Sequence, residues 1–320
     1  MQQLQLKTAE LGATGLEITR VGLGAWAIGG NGYEFGWGVQ DDDESIAAIH
    51  RALELGVNWI DTAAVYGLGR SEQVVGRALA GLSNRPYVFT KASLLDAGDG
   101  RVEHNLKRDS IRREAEASLE RLGVDAIDLY QIHWPIPDED IEEGWAAMAE
   151  LRDEGIVRHI GVSNFDVGQL RRIQSIAPVE TLQPPYSLVD RRVESEILPF
   201  AESAGFGVIV YSPMGSGLLT GAMTRERIES LPADDWRRNS DRFREPQLTE
   251  HLALVERLRV VAERHGVAPG AVAVAWTLLN PAVDGAIVGF RRPAQVDPIL
   301  PAANFELGSD DLAELEGRTL

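Results

Sequence analysis

Gly56-Val57-Asn58-Trp59-Ile60-Asp61-Thr62-Ala63-Ala64-Val65-Tyr66-Gly67, followed by the amphipathic run 71–80, is the stretch that decides the architecture. A short strand-forming run ends in a carboxylate, a polar loop follows, and apolar residues then recur at helical spacing. Working outward, the same unit recurs along the chain. Strand patterns fall at 19–23, 57–61, 87–91, 127–133, 159–163, 180–183, 207–211 and 286–288. Helix patterns lie between them at 43–55, 71–80, 107–122, 141–154, 167–176, 193–204 and 271–279. Strict alternation implies parallel strands joined by right-handed crossovers, and eight such units close into a (β/α)8 TIM barrel.

Two stretches break the rhythm. Residues 1–18 hold a strand pattern at 4–7, the turn signal Gly12-Ala13-Thr14-Gly15 and a second run at 16–18, which predicts a β-hairpin plugging the lower end of the barrel. Residues 215–248, after strand seven, are too long for an ordinary βα loop and carry Arg225, Arg227, Trp236, Arg237, Arg238 and Arg242. Loops of that length usually serve function. These arginines read equally as solvated loop charge or as a clasp on a cofactor. No Pro/Gly/Ser-rich linker divides the 320 residues, so the expectation is one domain spanning 1–320.

Composition removes several classes of function. Forty-nine acidic against 31 basic residues give a net charge of −18, which repels nucleic acid backbones and anionic membranes. The absence of cysteine excludes disulfides, thiolate metal sites and cysteine nucleophiles. Six scattered histidines form no metal set, and none is expected. No signal-peptide or membrane-spanning run is present, which points to a cytoplasmic protein.

Barrel chemistry gathers at the C-terminal strand ends. There the chain places Asp61, then Tyr66 five residues on, Lys91, and His133. Each alone has an ordinary reading, as a helix cap, a turn-packing ring, a snorkelling lysine or a core histidine. Together they form a proton-handling set. A buried ammonium beside a phenol lowers its pKa from about 10, which predicts that Lys91, held by Asp61, tunes Tyr66 toward donating a proton near neutral pH. His133 can hydrogen-bond the same substrate oxygen. Such a set protonates an oxygen while something else delivers an electron pair, and a nicotinamide hydride is the natural source.

The chain resembles the aldo-keto reductases over nearly its whole length. The resemblance rests on Gly56 to Ala63 with Tyr66-Gly67, Thr90-Lys91, Asp128 to Pro135, Gly161-Val162-Ser163-Asn164-Phe165, Gln183 and Tyr211-Ser212-Pro213-Met214-Gly215. It implies reduction of an aldehyde or ketone substrate with NADP(H), NAD(H) being the second choice. It assigns Tyr66 as general acid, Lys91 and Asp61 as its tuning pair, and His133 as the orienting group. It places Ser163, Asn164 and Gln183 on the carboxamide and Tyr211 under the nicotinamide ring. Ser212, Met214, Gly215, Ser216, Gly217 and Leu218 would cradle the pyrophosphate. Gly289, Arg291 and Gln295 would meet the adenosine end, and Trp26 joins the cofactor-facing residues. Where many relatives carry a Glu-Asn pair after the position of Gln295, this chain has Pro298 and Ile299. Arg291 and Arg292 supply the local positive charge that the 2′-phosphate of NADPH needs, or else a basic cap on a last barrel helix.

Gly22-Leu23-Gly24-Ala25-Trp26-Ala27 matches a dinucleotide fingerprint but lacks the helix such a motif opens, so its glycines are expected to leave room near the cofactor. A glycosidase would need two facing carboxylates, and only Asp61 is available. The remaining alternative is a cofactor-binding sensor or channel-associated regulatory subunit of the same fold. Trp26, Tyr33, Trp37 and Trp134 offer an aromatic wall for the carbonyl substrate.

Overall fold

The computed structural model describes residues 5–233 and 235–317. The start of the first strand expected at 4–7, Asp234 and the last three residues lie outside them. Eight parallel strands close a barrel: β3 (Val21–Gly24), β4 (Trp59–Asp61), β5 (Tyr87–Ala92), β8 (Ile127–Ile132), β9 (Val157–Ser163), β10 (Thr181–Gln183), β11 (Gly207–Val210) and β12 (Gly285–Gly289). All eight expected strands are present. Helices α1 (Asp42–Glu54), α2 (Arg70–Leu79), α3 (Arg108–Leu122), α4 (Ile141–Asp153), α5 (Val167–Gln174), α6 (Ile197–Ala204) and α9 (Pro269–Thr277) form the outer layer. Their apolar faces pack on the strands in one continuous core.

The predicted plug hairpin is present, but its first strand lies later than the expected 4–7: residues 5–7 form no strand, and β1 (Thr8–Glu10) pairs antiparallel with β2 (Glu17–Thr19). Its Leu11, Leu16 and Ile18 join Trp59, Phe89, Leu129, Ile209 and Ile287 in a separate cluster inside the barrel. Strand side chains alternate in direction, so the residues two positions further along the same strands form the next layer up: Asp61, Lys91, Gln131 and Tyr211. The barrel interior is thus apolar at the floor and polar one layer higher. Lys91 is the register partner of Gln131, which places their side chains side by side.

Three elements depart from expectation. A hairpin, β6 (Leu94–Gly98) with β7 (Arg101–His104), rises after β5, and its turn docks on the β3–α1 loop through Glu34 N–H to Gly100 O at 2.9 Å. The 215–248 stretch holds α7 (Arg225–Glu229) and a small core of Leu218, Met223, Ile228, Phe243 and Leu248, and it leads into α8 (Gln247–His265). No α-helix starts directly after Arg291, where a last barrel helix was the alternative reading of its charge. Pro293, Pro298 and Pro301 remove the donors a helix needs, leaving the 3-10 turns Pro293–Gln295 and Leu300–Ala303 before α10 (Ser309–Leu315).

The glycines of the 22–27 segment need correction too. A Cβ on Gly22 would lie 2.1 Å from the Trp59 ring, and one on Gly24 would lie 2.6 Å from Ile287 Cγ2. Both glycines make room for the floor of the barrel rather than for a cofactor.

Candidate active site

Every proton-handling residue read from the sequence arrives at one rim. Asp61 ends β4, Lys91 stands near the end of β5, and His133 follows β8. Tyr66 sits in the turn after β4, where Gly67 packs so tightly on Gly29 that a Cβ would lie 2.2 Å from its carbonyl oxygen. Lys91 is fully enclosed and donates to Asp61 Oδ1 at 2.5 Å and to the Thr62 carbonyl at 2.9 Å. Its Nζ also reaches Tyr66 Oη at 3.4 Å. The second Asp61 oxygen accepts from Gln183 Nε2 at 2.8 Å and from Gln131 Nε2 at 3.4 Å. Gln183 also donates to Gln131 Oε1 at 3.2 Å.

This arrangement reverses one expectation. Tyr66 is held well above the usual phenol range, first by burial and then by the negative charge of Asp61. The Lys91 ammonium, paired with Asp61 at 2.5 Å, opposes these two effects without outweighing them. Burial in turn lowers Lys91, and the Asp61 charge opposes that loss. His133 is pushed well below its ordinary value by burial and then by Lys91, so its imidazole is neutral. Its ring meets the Tyr66 ring edge-on, with centroids 5.7 Å apart. The site therefore holds a phenol kept protonated by burial, a lysine paired with Asp61 at 2.5 Å and an imidazole kept neutral by burial.

The residues assigned to the carboxamide cluster beside this set. Asn164 Nδ2 donates to the His133 carbonyl at 2.9 Å and to Ser163 Oγ at 3.0 Å, while Tyr211 Oη donates to Asn164 Oδ1 at 2.8 Å. Ser163 Oγ donates to the Gln183 carbonyl at 2.7 Å. Asn164 adopts a left-handed backbone with φ of 66°, a conformation that asparagine tolerates better than most residues.

Beyond β11, Gly215, Ser216 and Gly217 are consecutively left-handed, and Ser212 is as well. Met214 and Leu218 complete the turn, closed by Gly215 N–H to Ser212 O at 2.9 Å and Leu219 N–H to Met214 O at 3.0 Å. Among the described residues the amides of Ser216 and Gly217 have no acceptor. Successive free amides in such a turn form an anion-binding concavity. Arg237 lies over it, reaching Ser216 O at 3.4 Å while paired with Asp235 at 2.6 Å. These residues fit a dinucleotide pyrophosphate.

At the far edge, Arg291 Nε donates to Gln40 Oε1 and Nη2 to the Val39 carbonyl, both at 2.6 Å. Gln295 Oε1 accepts from the amides of Arg291 at 2.8 Å and Arg292 at 3.2 Å, and Gly289 is exposed beside them. Trp26 packs among aromatic rings. It stacks on Tyr66 with centroids 6.1 Å apart and on Trp236 at 5.3 Å, and Trp37 packs edge-on against both tryptophans. Gln131 and Trp236 thus stand beside the predicted site residues without having been assigned from the sequence, and Arg237 is the arginine of the 215–248 stretch that reaches the Ser216 carbonyl. Trp134 is exposed at the rim.

Among the described residues no group of three or more His, Asp or Glu side chains is disposed to hold a metal ion. No described helix is long and apolar enough to cross a membrane.

The fold is a closed eight-stranded parallel barrel with its polar residues gathered at the rim of C-terminal strand ends. The family model "Aldo/keto reductase family" matches residues 20–318, and the chain belongs to that family. It is 40% identical over 305 residues to the aldo-keto reductase YhdN of Bacillus subtilis (strain 168), covering 94% of this chain and 90% of that one. It is 35% identical over 320 residues to the NADH-specific methylglyoxal reductase of Escherichia coli (strain K12), covering 96% of each. A solved glycerol dehydrogenase of Gluconobacter oxydans superposes with a TM-score of 0.86 at 38% identity, covering 99% of this chain and 95% of that one. Membership places the chain among the nicotinamide-dependent oxidoreductases of small carbonyls.

Proposed function

We propose that the protein reduces aldehydes or ketones to alcohols with NADPH, Tyr66 donating the proton to the carbonyl oxygen. The observation that carries this reading is the enclosed Asp61–Lys91 pair ending at the Tyr66 hydroxyl, with a neutral imidazole beside it. When bound, the nicotinamide supplies the hydride that the carbonyl carbon accepts. Tyr66 stays protonated through the neutral range because burial opposes its anion, so the phenol is ready to donate. As its proton leaves, negative charge develops on Tyr66 Oη, and the Lys91 ammonium 3.4 Å away stabilises it. Neutral His133 offers the substrate oxygen a hydrogen bond without adding a competing acid.

Ser163, Asn164, Gln183 and Tyr211 would hold the nicotinamide end, and the turn from Ser212 to Leu218 the pyrophosphate. Arg291, fixed by Gln40 and the Val39 carbonyl, would meet the adenosine with Gly289 and Gln295. The preference for NADPH rests on Arg291 with Arg292 against a net charge of −18. The Escherichia coli relative is named for NADH, and NAD(H) is the competing choice. A cysteine-free acidic composition supports a cytoplasmic location and argues against nucleic acid partners. The three relatives are named as enzymes, which weighs against the regulatory-subunit alternative.

The test follows nicotinamide absorbance with and without a carbonyl substrate in wild type and Tyr66→Phe. Loss of the general acid should lower kcat by roughly 10²–10⁴-fold while cofactor binding persists. Retention of more than about half the rate would remove Tyr66 from this role.

A further inference from the structure

Gln131 in β8 and Gln183 at the end of β10 stand beside Asp61 in the polar layer of the barrel, and both are buried. Paired with Lys91, Asp61 is a carboxylate, which accepts hydrogen bonds and donates none. Each glutamine therefore turns its amide nitrogen toward Asp61 Oδ2, Gln183 at 2.8 Å and Gln131 at 3.4 Å. With its nitrogen so placed, Gln131 offers its oxygen to Gln183, whose Nε2 donates to it at 3.2 Å. A primary amide nitrogen carries two hydrogens, and Gln183 uses both inside this triangle.

What remains of the Gln183 amide is its oxygen. Gln183 Oε1 has no partner among the described residues, and it is not one of their fully enclosed unpartnered atoms, so it meets open space. It does so beside Ser163, the register partner of Gln183, whose Oγ donates to the Gln183 carbonyl at 2.7 Å. A single hydrogen bond to Asp61 would act as a hinge about which the amide could turn. The second one, to Gln131, fixes its plane.

We infer that Gln131 is a positioning residue for the cofactor, fixing the plane of the Gln183 amide so that Gln183 presents an oxygen, and no donor, to the nicotinamide carboxamide. An oxygen held there accepts from the amino group of the carboxamide and gains nothing from a methyl in its place. Gln131 acts through Gln183. This inference rests on the placement of Gln183 at the nicotinamide end in the reading above.

The experiment titrates the tryptophan fluorescence of wild type, Gln131→Met and Gln183→Met with NADP+ and with its 3-acetylpyridine analogue. The analogue keeps the carbonyl on the ring and exchanges the amino group for a methyl. The corresponding NAD+ pair is titrated alongside. Methionine keeps the length of the glutamine side chain and removes the amide. Wild type should bind the carboxamide form more tightly than the acetyl form. Gln131→Met should reduce that ratio of Kd values roughly 2- to 12-fold, the worth of one neutral hydrogen bond. Because the ratio is internal to each preparation, a partly misfolded variant still reports it, and a residue that only fills space would shift both Kd values together. A ratio that Gln183→Met lowers and Gln131→Met leaves unchanged would overturn this inference and leave the nicotinamide reading standing. No wild-type preference for the carboxamide, or a ratio that neither variant moves, would remove Gln183 from the carboxamide and the inference with it. Binding of neither NADP+ nor NAD+ by wild type would overturn the reductase reading itself.

Discussion

The floor and the mouth of this barrel are built from the same strands, two residues apart, under opposite rules. At the floor, Trp59 fills the space opened by Gly22, pairs its indole N–H with the Thr19 carbonyl and is sealed by Leu11, Leu16 and Ile18 of the plug. At the mouth, Asp61 and Lys91 bury charge, the indole donors of Trp37 and Trp236 lack partners among the described residues, and the chain strains. Leu68, Ser93, Asn164, Ser212 and Ser216, all non-glycine residues at positive φ, lie in the segments that follow the C-terminal strand ends. Strained backbone and unsatisfied groups persist only where the surroundings hold them in place. Stability is concentrated at one end of each strand and reactivity at the other.

The contrast can be broken first at the floor. Trp59→Ala should cost ~3–5 kcal/mol of unfolding free energy, measured in urea, whereas Tyr66→Phe at the mouth should leave stability nearly unchanged. Equal destabilisation by the two would end the division. Next in size, Arg291→Ala should raise the NADPH Kd roughly 10- to 150-fold in a fluorescence titration and leave NADH binding nearly unchanged. Equal weakening of both cofactors would show that Arg291 does not read the 2′-phosphate.

The last expected effect is a pH slope. Burial pushes the Glu114 carboxyl up to about 7, while Ser93 N–H at 2.9 Å and Ser110 Oγ at 3.2 Å hold it in place below the mouth. Because the folded pKa is raised, the folded state favours the protonated form. Its stabilising contribution is complete below the unfolded value of 4.5 and is lost as pH rises through about 7. The full swing is about 3 kcal/mol at most. Glu114→Gln should flatten unfolding free energy across this window, and an unchanged slope would assign the dependence to other groups.

What the sequence revealed follows the same division. The strands, the plug and the residues Asp61, Tyr66, Lys91 and His133 were legible because apolar runs ending in polar residues mark strand ends without tertiary knowledge. Gln131 was not legible. Within its strand it looks like any polar residue, and only the register with Lys91 gives it Asp61 and Gln183 as neighbours. The β6–β7 hairpin carried a usable signal in Asp99-Gly100, a favoured turn pair, and α8 carried helical spacing in Leu254, Val255, Leu258, Val261 and Ala262. The protonation of Tyr66 ran opposite to expectation because proximity to Lys91 says nothing about the burial and the Asp61 charge that outweigh it. Loop residues such as Trp236 and Arg237 acquire a role only through stacking and pairing that span the barrel mouth.

The plug has a kinetic consequence. Because β1, β2 and the Trp59 cluster fill the lower end, both reactants of the proposed reaction would share one doorway, the rim of C-terminal strand ends. Two reactants that share one doorway cannot pass each other, so traffic obeys last in, first out. The alcohol should leave before the spent dinucleotide, and product inhibition patterns should be those of a compulsory order rather than a random one.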